Sequence, residues 1–145
     1  MGHTVYMGVP TVVESAADET PYAALFEDDG KVGYFYGMDR RLGERAVLDS
    51  VYVYNVGWVL DHPAPDLDVH EPCNVEIVWS GDQQRAALLI NGRPHAAFDF
   101  GAKRAYCREN FPAGSSWSAG GHAWDDQAVD FLAVRRDQRE QPGAV

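Results

Sequence analysis

Three residues in one short stretch have the types that nucleophilic catalysis uses: His95, Asp99 and Cys107. A thiol nucleophile needs a nearby imidazole base, and the base needs a carboxylate or amide that orients it. On a strand, His95 and Asp99 would share a face but lie roughly 13 Å apart, too far for a direct hydrogen bond. His122 with Asn110 could replace this pair only in a fold that brings them together. A histidine beside a turn and a small buried thiol explain the same residues, so we predict no catalytic residue.

A basic run follows these residues, and it could bind an anion. Lys103, Arg104 and Arg108 surround Tyr106, whose ring could lie beside the guanidinium groups. The same run is equally typical of a solvated edge strand that charge protects from pairing. The residues predicted to bind a ligand are His95, Asp99, Arg104, Tyr106, Arg108 and Asn110.

The sequence predicts neither a metal site nor a cofactor. Two histidines lie among acidic residues in one segment, which comprises Asp61, His62, Asp66, Asp68, His70 and Glu71. Their types suit metal ions, but their spacing matches no ligand motif, and a solvated acidic loop explains them better. We also find no strand, glycine-rich loop and helix that could hold a phosphate.

The segment between the two cysteines reads as three consecutive strands at residues 74–79, 85–90 and 95–100. Asn91-Gly92 joins the last two strands, and this pair favours the two positive φ angles of a type I′ turn. Cys73 and Cys107 flank the three strands and could lie close together. A bridge would need Cα atoms within about 7 Å, and a reducing compartment favours free thiols.

A hairpin precedes this region, with strands at residues 22–27 and 31–36 around Asp28-Asp29-Gly30. Alternation places Val32, Tyr34 and Tyr36 on one face of its second strand. Gly33 and Gly37 leave room for a bulky group, which is either a neighbouring aromatic ring or a ligand.

The remaining segments complete a mainly β chain. We expect an opening strand at 4–14 interrupted by Pro10, a central strand at 46–56, an irregular loop at 57–72 and a further strand at 104–108. A helix should begin at Asp125 or Asp126. The pattern predicts an antiparallel meander that forms a curved sheet or half-barrel, or alternatively a β-sandwich, with one C-terminal helix.

Composition narrows the function classes. The 145 residues fit a single domain, with a frayed tail at 137–145. The net charge of −10 disfavours nucleic acid and favours a basic protein partner. No apolar run is long enough for a membrane span, and no secretion signal is apparent, so we expect a cytoplasmic protein.

Several motifs resemble a family of small bacterial proteins known only as a domain of unknown function. They include Phe26-Glu27-Asp28-Asp29-Gly30, Gly33-Tyr34-Phe35-Tyr36, Leu48-Asp49, Tyr54-Asn55-Val56, Ala87-Leu88-Leu89-Ile90-Asn91-Gly92, Pro94-His95-Ala96, Phe98-Asp99-Phe100, Tyr106-Cys107-Arg108 and Asn110-Phe111-Pro112. The resemblance runs from about Ala24 onward, leaves out the N-terminal strand and the tail, and implies no activity.

Three hypotheses about function follow. The first is a non-enzymatic acidic module that binds another protein, for example as an immunity or antitoxin protein. The second is a small-molecule or anion binder, or an enzyme, with a pocket near His95–Asn110. The third is a homodimer that forms when exposed strand edges pair.

Overall fold

The chain folds as two antiparallel β-sheets that pack face to face. The computed structural model describes residues 2–61, 68–107 and 126–132. The first sheet has the strand order β1-β6-β7-β8-β9, with β1 at His3–Val5, β6 at Cys73–Trp79, β7 at Arg85–Ile90, β8 at Arg93–Asp99 and β9 at Arg104–Cys107. The second has the order β2-β3-β4-β5, with β2 at Thr11–Ala16, β3 at Tyr22–Asp28, β4 at Val32–Asp39 and β5 at Val47–Asn55.

The three-strand meander forms most of the first sheet, as the sequence predicts. Asn91 and Gly92 have φ angles of 52° and 81°, so the Asn-Gly turn has the two positive φ angles of a type I′ turn. The middle strand is covered on both faces. Leu88 faces the main core, whereas Ala87 on the other face packs with Val78 and Phe131. Phe131 lies in the helical residues 130–132, which follow a 3-10 helix at Asp126–Val129, and this confirms the predicted C-terminal helix.

The space between the sheets is filled by aromatic side chains. Phe100 stacks on Tyr22 with ring centroids 4.5 Å apart and on Trp79 at 5.5 Å. Gly37 makes room for this packing, because a Cβ atom there would come within 2.7 Å of the Phe98 ring. Tyr54 covers Gly33 in the same way, so both glycines are opposite rings of the protein itself.

The two sheets also meet along one pair of edges, where β5 lies against β9. The backbone N–H of Ala105 donates to Oδ2 of Asp49 at 2.9 Å, and the Cys107 thiol donates to the Tyr52 carbonyl at 2.9 Å. The sequence-based prediction that β5 is a central strand is therefore wrong. It is an edge strand of its sheet, and its apolar character comes from contact with the other sheet.

The predicted fold class is confirmed, since the protein is mainly β and antiparallel with a C-terminal helix. Its two facing sheets correspond to the sandwich that was the alternative arrangement. Two local predictions are wrong. The opening strand is split into β1 and β2 by a turn at residues 6–10, where Gly8 has a φ of 91°. A short helix, α1 at Val56–Asp61, occupies the first part of the predicted loop at 57–72.

Candidate functional site

The residues considered as a nucleophilic set, His95, Asp99 and Cys107, do not converge. Ala96 is directly opposite Cys107 in the β8–β9 pairing, so both point into the core. Asp99 is three residues beyond Ala96 and therefore points to the outer face of the sheet. His95 is 1% exposed and forms a bulge where the β7–β8 register shifts. Asp99 and Cys107 thus lie on opposite faces, which rules out a Cys–His–Asp site.

The two cysteines are also far apart. Cys73 is on β6 and Cys107 is on β9, with β7 and β8 between them. Three steps of about 4.8 Å separate such strands by roughly 14 Å, which is twice the Cα separation that a disulfide tolerates. Both cysteines are buried, and neither forms a disulfide among the described residues.

Three of the predicted ligand-binding residues share the outer face of β8 and β9. Asp99 is directly opposite Arg104, and Tyr106 is two residues further along the strand. The Arg104 guanidinium lies 5.1 Å from the centroid of the Tyr106 ring. Arg108 and Asn110 lie outside the described residues. The basic face is therefore partly assembled, but a carboxylate lies beside its arginine and the histidine is buried in the core.

The acidic segment gives no metal centre within the described residues. Asp61, Asp68, His70 and Glu71 are described, whereas His62 and Asp66 are not. Across residues 2–61, 68–107 and 126–132, no three histidine, cysteine, aspartate or glutamate side chains are close enough to hold a metal ion.

The second sheet presents a surface that the sequence analysis did not identify as a site. Its outer side carries tyrosines and carboxylates on all four strands of the sheet and on the turn between β3 and β4. We call this surface the tyrosine–carboxylate face, and it consists of Glu14, Glu27, Asp29, Tyr34, Tyr36 and Tyr52. Glu14 is exposed and the three tyrosines are half-buried. The alternation of residues in β4 predicted that two of these tyrosines point to the same side. The other residues of the face come from neighbouring strands, and their positions depend on strand pairing between distant segments of the sequence.

Two hydrogen bonds and one ring contact connect side chains of this face. The Tyr36 hydroxyl donates to Oε1 of Glu27 at 3.2 Å, and the Tyr34 hydroxyl donates to Oδ2 of Asp29 at 3.2 Å. The ring of Tyr34 meets that of Tyr52 edge-on, with centroids 5.0 Å apart. The face is therefore an ordered array of rings and carboxylates before any ligand arrives.

The electrostatics of the face are negative. Partial burial and the charge of Asp29 raise the pKa of Tyr34, and partial burial and the charge of Glu27 raise that of Tyr36. Backbone N–H groups of the β3–β4 turn, followed by the Tyr34 hydroxyl, lower the pKa of Asp29 and keep it ionised. Among the described residues, neither Glu14 nor Glu27 forms an ion pair. Aromatic faces and unneutralised carboxylates both attract cations.

A different tyrosine–carboxylate pair is buried at one end of the same sheet. Asp28 is 1% exposed, and its Oδ2 accepts hydrogen bonds from the Tyr54 hydroxyl and, at 2.7 Å, from the N–H of Gly8. Its Oδ1 accepts from the N–H of Gly30 at 2.7 Å. Burial and this hydrogen bond raise the pKa of Tyr54, so its hydroxyl stays protonated. The pair ties three segments together and has a structural role.

These features define a small antiparallel β-sandwich with an acidic, aromatic outer face. Residues 5–133 match the model of a family described as an uncharacterized protein conserved in bacteria (DUF2251), and the chain belongs to this family. The match begins at residue 5 and so includes β2, which the sequence resemblance left out, but only the last residue of β1.

A curated relative from Haemophilus influenzae is described as an uncharacterized protein. It is 41% identical over 91 residues, which cover 63% of this chain and 52% of the relative. The chain therefore spans about half the length of the curated relative it matches. No solved structure matches the chain. None of the helices among the described residues has the length and apolar character of a membrane span.

Proposed function

We propose that the protein is a non-enzymatic module that binds a basic partner protein through the tyrosine–carboxylate face. The observation that carries this proposal is the ordered combination of half-buried rings with Glu14 and Glu27, which form no ion pair among the described residues. Tyrosine supplies a large, rigid contact area at interfaces, and carboxylates select a cationic partner. Neutralisation of a basic toxin, as by an immunity or antitoxin protein, is the concrete version of this role.

Capture from the bacterium that encodes the protein tests the proposal, and a toxin gene beside its own gene would support the immunity role. Tagged wild-type protein should recover one stoichiometric basic protein. The variant Glu27→Lys should lose it, whereas Glu76→Lys should retain it. Glu76 lies on β6 of the other sheet, so the two variants change the net charge equally at different places, although Glu27→Lys also removes the acceptor of the Tyr36 hydroxyl. Recovery of abundant housekeeping proteins alone contradicts the proposal.

An anion binder on the outer face of β8 and β9 is the second candidate. It is favoured by the position of the Arg104 guanidinium over the Tyr106 ring. Phosphate titrated into labelled protein should shift the amide signals of Arg104 and Tyr106, and Arg104→Ala should abolish the shifts without loss of stability. Because His95 is buried, His95→Ala should instead lower stability. An absence of shifts at millimolar phosphate rejects this candidate.

A further inference from the structure

The sheet edges of the sandwich differ in how well they are covered. The outer edge of β5 and that of β9 meet each other through Asp49 and Cys107. The edge at β1 is only three residues long. Strand β2 has six residues and pairs with β3 on one side, and no described strand pairs with its other side. Among the described strands, β2 therefore offers the long uncovered edge.

The outward backbone groups of β2 can be assigned from its pairing. The N–H of Ala17 donates to the Tyr22 carbonyl at 2.9 Å, just beyond the end of β2. Every second residue counted back from Ala17 along β2 therefore also forms its backbone hydrogen bonds with β3. Hydrogen-bonded pairs alternate along antiparallel strands. The N–H groups of Val12, Glu14 and Ala16 consequently point away from the sheet, where an added strand could accept their hydrogen bonds.

This edge lacks lysine, proline and a β-bulge, three features by which proteins often prevent strand pairing, and Glu14 is its single charged residue. Its sequence, Thr-Val-Val-Glu-Ser-Ala, has no lysine or proline, and its register with β3 is continuous over residues 11–16. The strand is also held in place, because Nε1 of Trp79 donates to Oγ of Ser15 at 2.8 Å from the other sheet. Val12 is 58% exposed. The edge is thus ordered, and it is uncovered by the residues that the structure describes.

We propose that an extended basic segment of the partner protein adds to β2 as a fifth strand of this sheet. The inference rests on the proposed function and specifies how the partner would bind. Strand addition supplies affinity through main-chain hydrogen bonds and specificity through alternate side chains. Side chains on the outer face of the added strand would lie about 5 Å from Glu14, next to the tyrosine–carboxylate face.

Charge selects a basic segment over a second copy of this chain. If two copies paired through β2 around a two-fold axis, the Glu14 side chains of both copies would lie near each other on the same face of the joined sheet. Each copy also carries a net charge of −10, and like charges across strands are destabilising. An arginine or lysine opposite Glu14 instead makes a favourable cross-strand pair.

The test uses an eight-residue peptide that alternates arginine and threonine, with a control peptide in which glutamate replaces arginine. Nuclear magnetic resonance follows amide shifts and hydrogen exchange in the full chain. The basic peptide should slow exchange at the amides of Val12, Glu14 and Ala16 at least fivefold, whereas the control peptide should not. Loss of one edge hydrogen bond in Val12→Pro should weaken binding about five- to tenfold. Val12→Thr keeps the N–H group and should bind within about twofold of wild type.

Each alternative result has a defined meaning. Shifts at Tyr34 and Tyr36 without slowed exchange on β2 reject strand addition and leave the proposed function intact. Slow exchange at these amides in the protein alone shows that another segment or a second copy covers the edge, and it overturns the proposal. No shift anywhere on this sheet also overturns it, while the capture experiment decides the proposed function separately. Should Val12→Pro fail to fold, exchange in the wild type still gives the answer.

Discussion

Each face of the second sheet carries a tyrosine that donates a hydrogen bond to a carboxylate, but the two pairs differ in burial. On the inner side, Tyr54 donates to Asp28 in a site closed to water. On the outer side, Tyr36 donates to Glu27 at 3.2 Å in a half-buried setting. A buried carboxylate must have its hydrogen bonds satisfied within the protein, whereas an exposed one can exchange them for a ligand. Burial, and not residue type, separates the structural pair from the proposed binding pair.

The largest expected effect comes from removing the inner carboxylate. Asp28→Ala leaves two backbone N–H groups and the Tyr54 hydroxyl buried without an acceptor, so the free energy of unfolding should fall by about 3 kcal/mol or more. Asp29→Ala, one residue away in the exposed turn, should cost much less, because water can replace the lost acceptor. Urea denaturation measures both. Equal losses would remove the distinction between the inner and outer carboxylates.

The second largest loss of stability is expected when the packing at Gly37, on the inner side of the sheet, is disturbed. Gly37→Ala places a Cβ atom 2.7 Å from the Phe98 ring, and the resulting overpacking should cost about 1–3 kcal/mol. Gly81→Ala is the matched control, because a Cβ atom at Gly81 meets nothing within 4 Å. Thermal unfolding of the two variants should therefore differ clearly. Equal melting temperatures would show that the inner face is loosely packed.

The two tyrosines offer a direct comparison through loss of a hydroxyl group. Tyr54→Phe removes a buried hydrogen bond to a carboxylate and should cost about 2 kcal/mol. Tyr36→Phe removes a half-buried bond and should cost about 0.5 kcal/mol or less. Denaturant midpoints measured in the same buffer provide the test. A Tyr36→Phe cost equal to that of Tyr54→Phe would assign the outer face a structural role.

A smaller effect is expected at the end of β4. Hydrogen bonds from Arg41 lower the pKa of Asp39 to about 2. Because the folded-state pKa lies below the unfolded value near 3.8, this contribution to stability is complete above about pH 4 and lost as the pH falls toward 2. Carboxyl titration by nuclear magnetic resonance should find a higher pKa in Arg41→Ala. An unchanged Asp39 titration would contradict the role of Arg41.

Local sequence signals predicted the elements better than their assembly. Asn91-Gly92 and Asp28-Asp29-Gly30 carry their turn geometry within a few residues, and both hairpins are as expected. The turn at Gly8 was missed because its N–H bonds to Asp28, twenty residues away. The edge position of β5 was missed for a similar reason, since its cover comes from β9.

The candidate site was less predictable than the fold. Of the residues chosen near His95, Asp99, Arg104 and Tyr106 share the outer face of β8 and β9, whereas His95 is buried at the bulge in β8. The tyrosine–carboxylate face contains residues of four strands. These residues become neighbours only because Glu27 pairs with Tyr34 and Tyr34 pairs with Tyr52 across strands. Sequence alone indicated only that Tyr34 and Tyr36 point the same way.

The central claim is that the outer face binds a cationic partner while the inner pair maintains the fold. The most direct measurement is the affinity of the arginine–threonine peptide for wild type, Glu14→Gln/Glu27→Gln and the control Glu76→Gln, with melting temperatures recorded alongside. We expect the double variant to bind about tenfold more weakly, through loss of two ion pairs of up to about 1 kcal/mol each, and to melt within about 1 °C of wild type. Equal affinities in all three proteins, or weaker binding only where the melting temperature also falls, would contradict the claim.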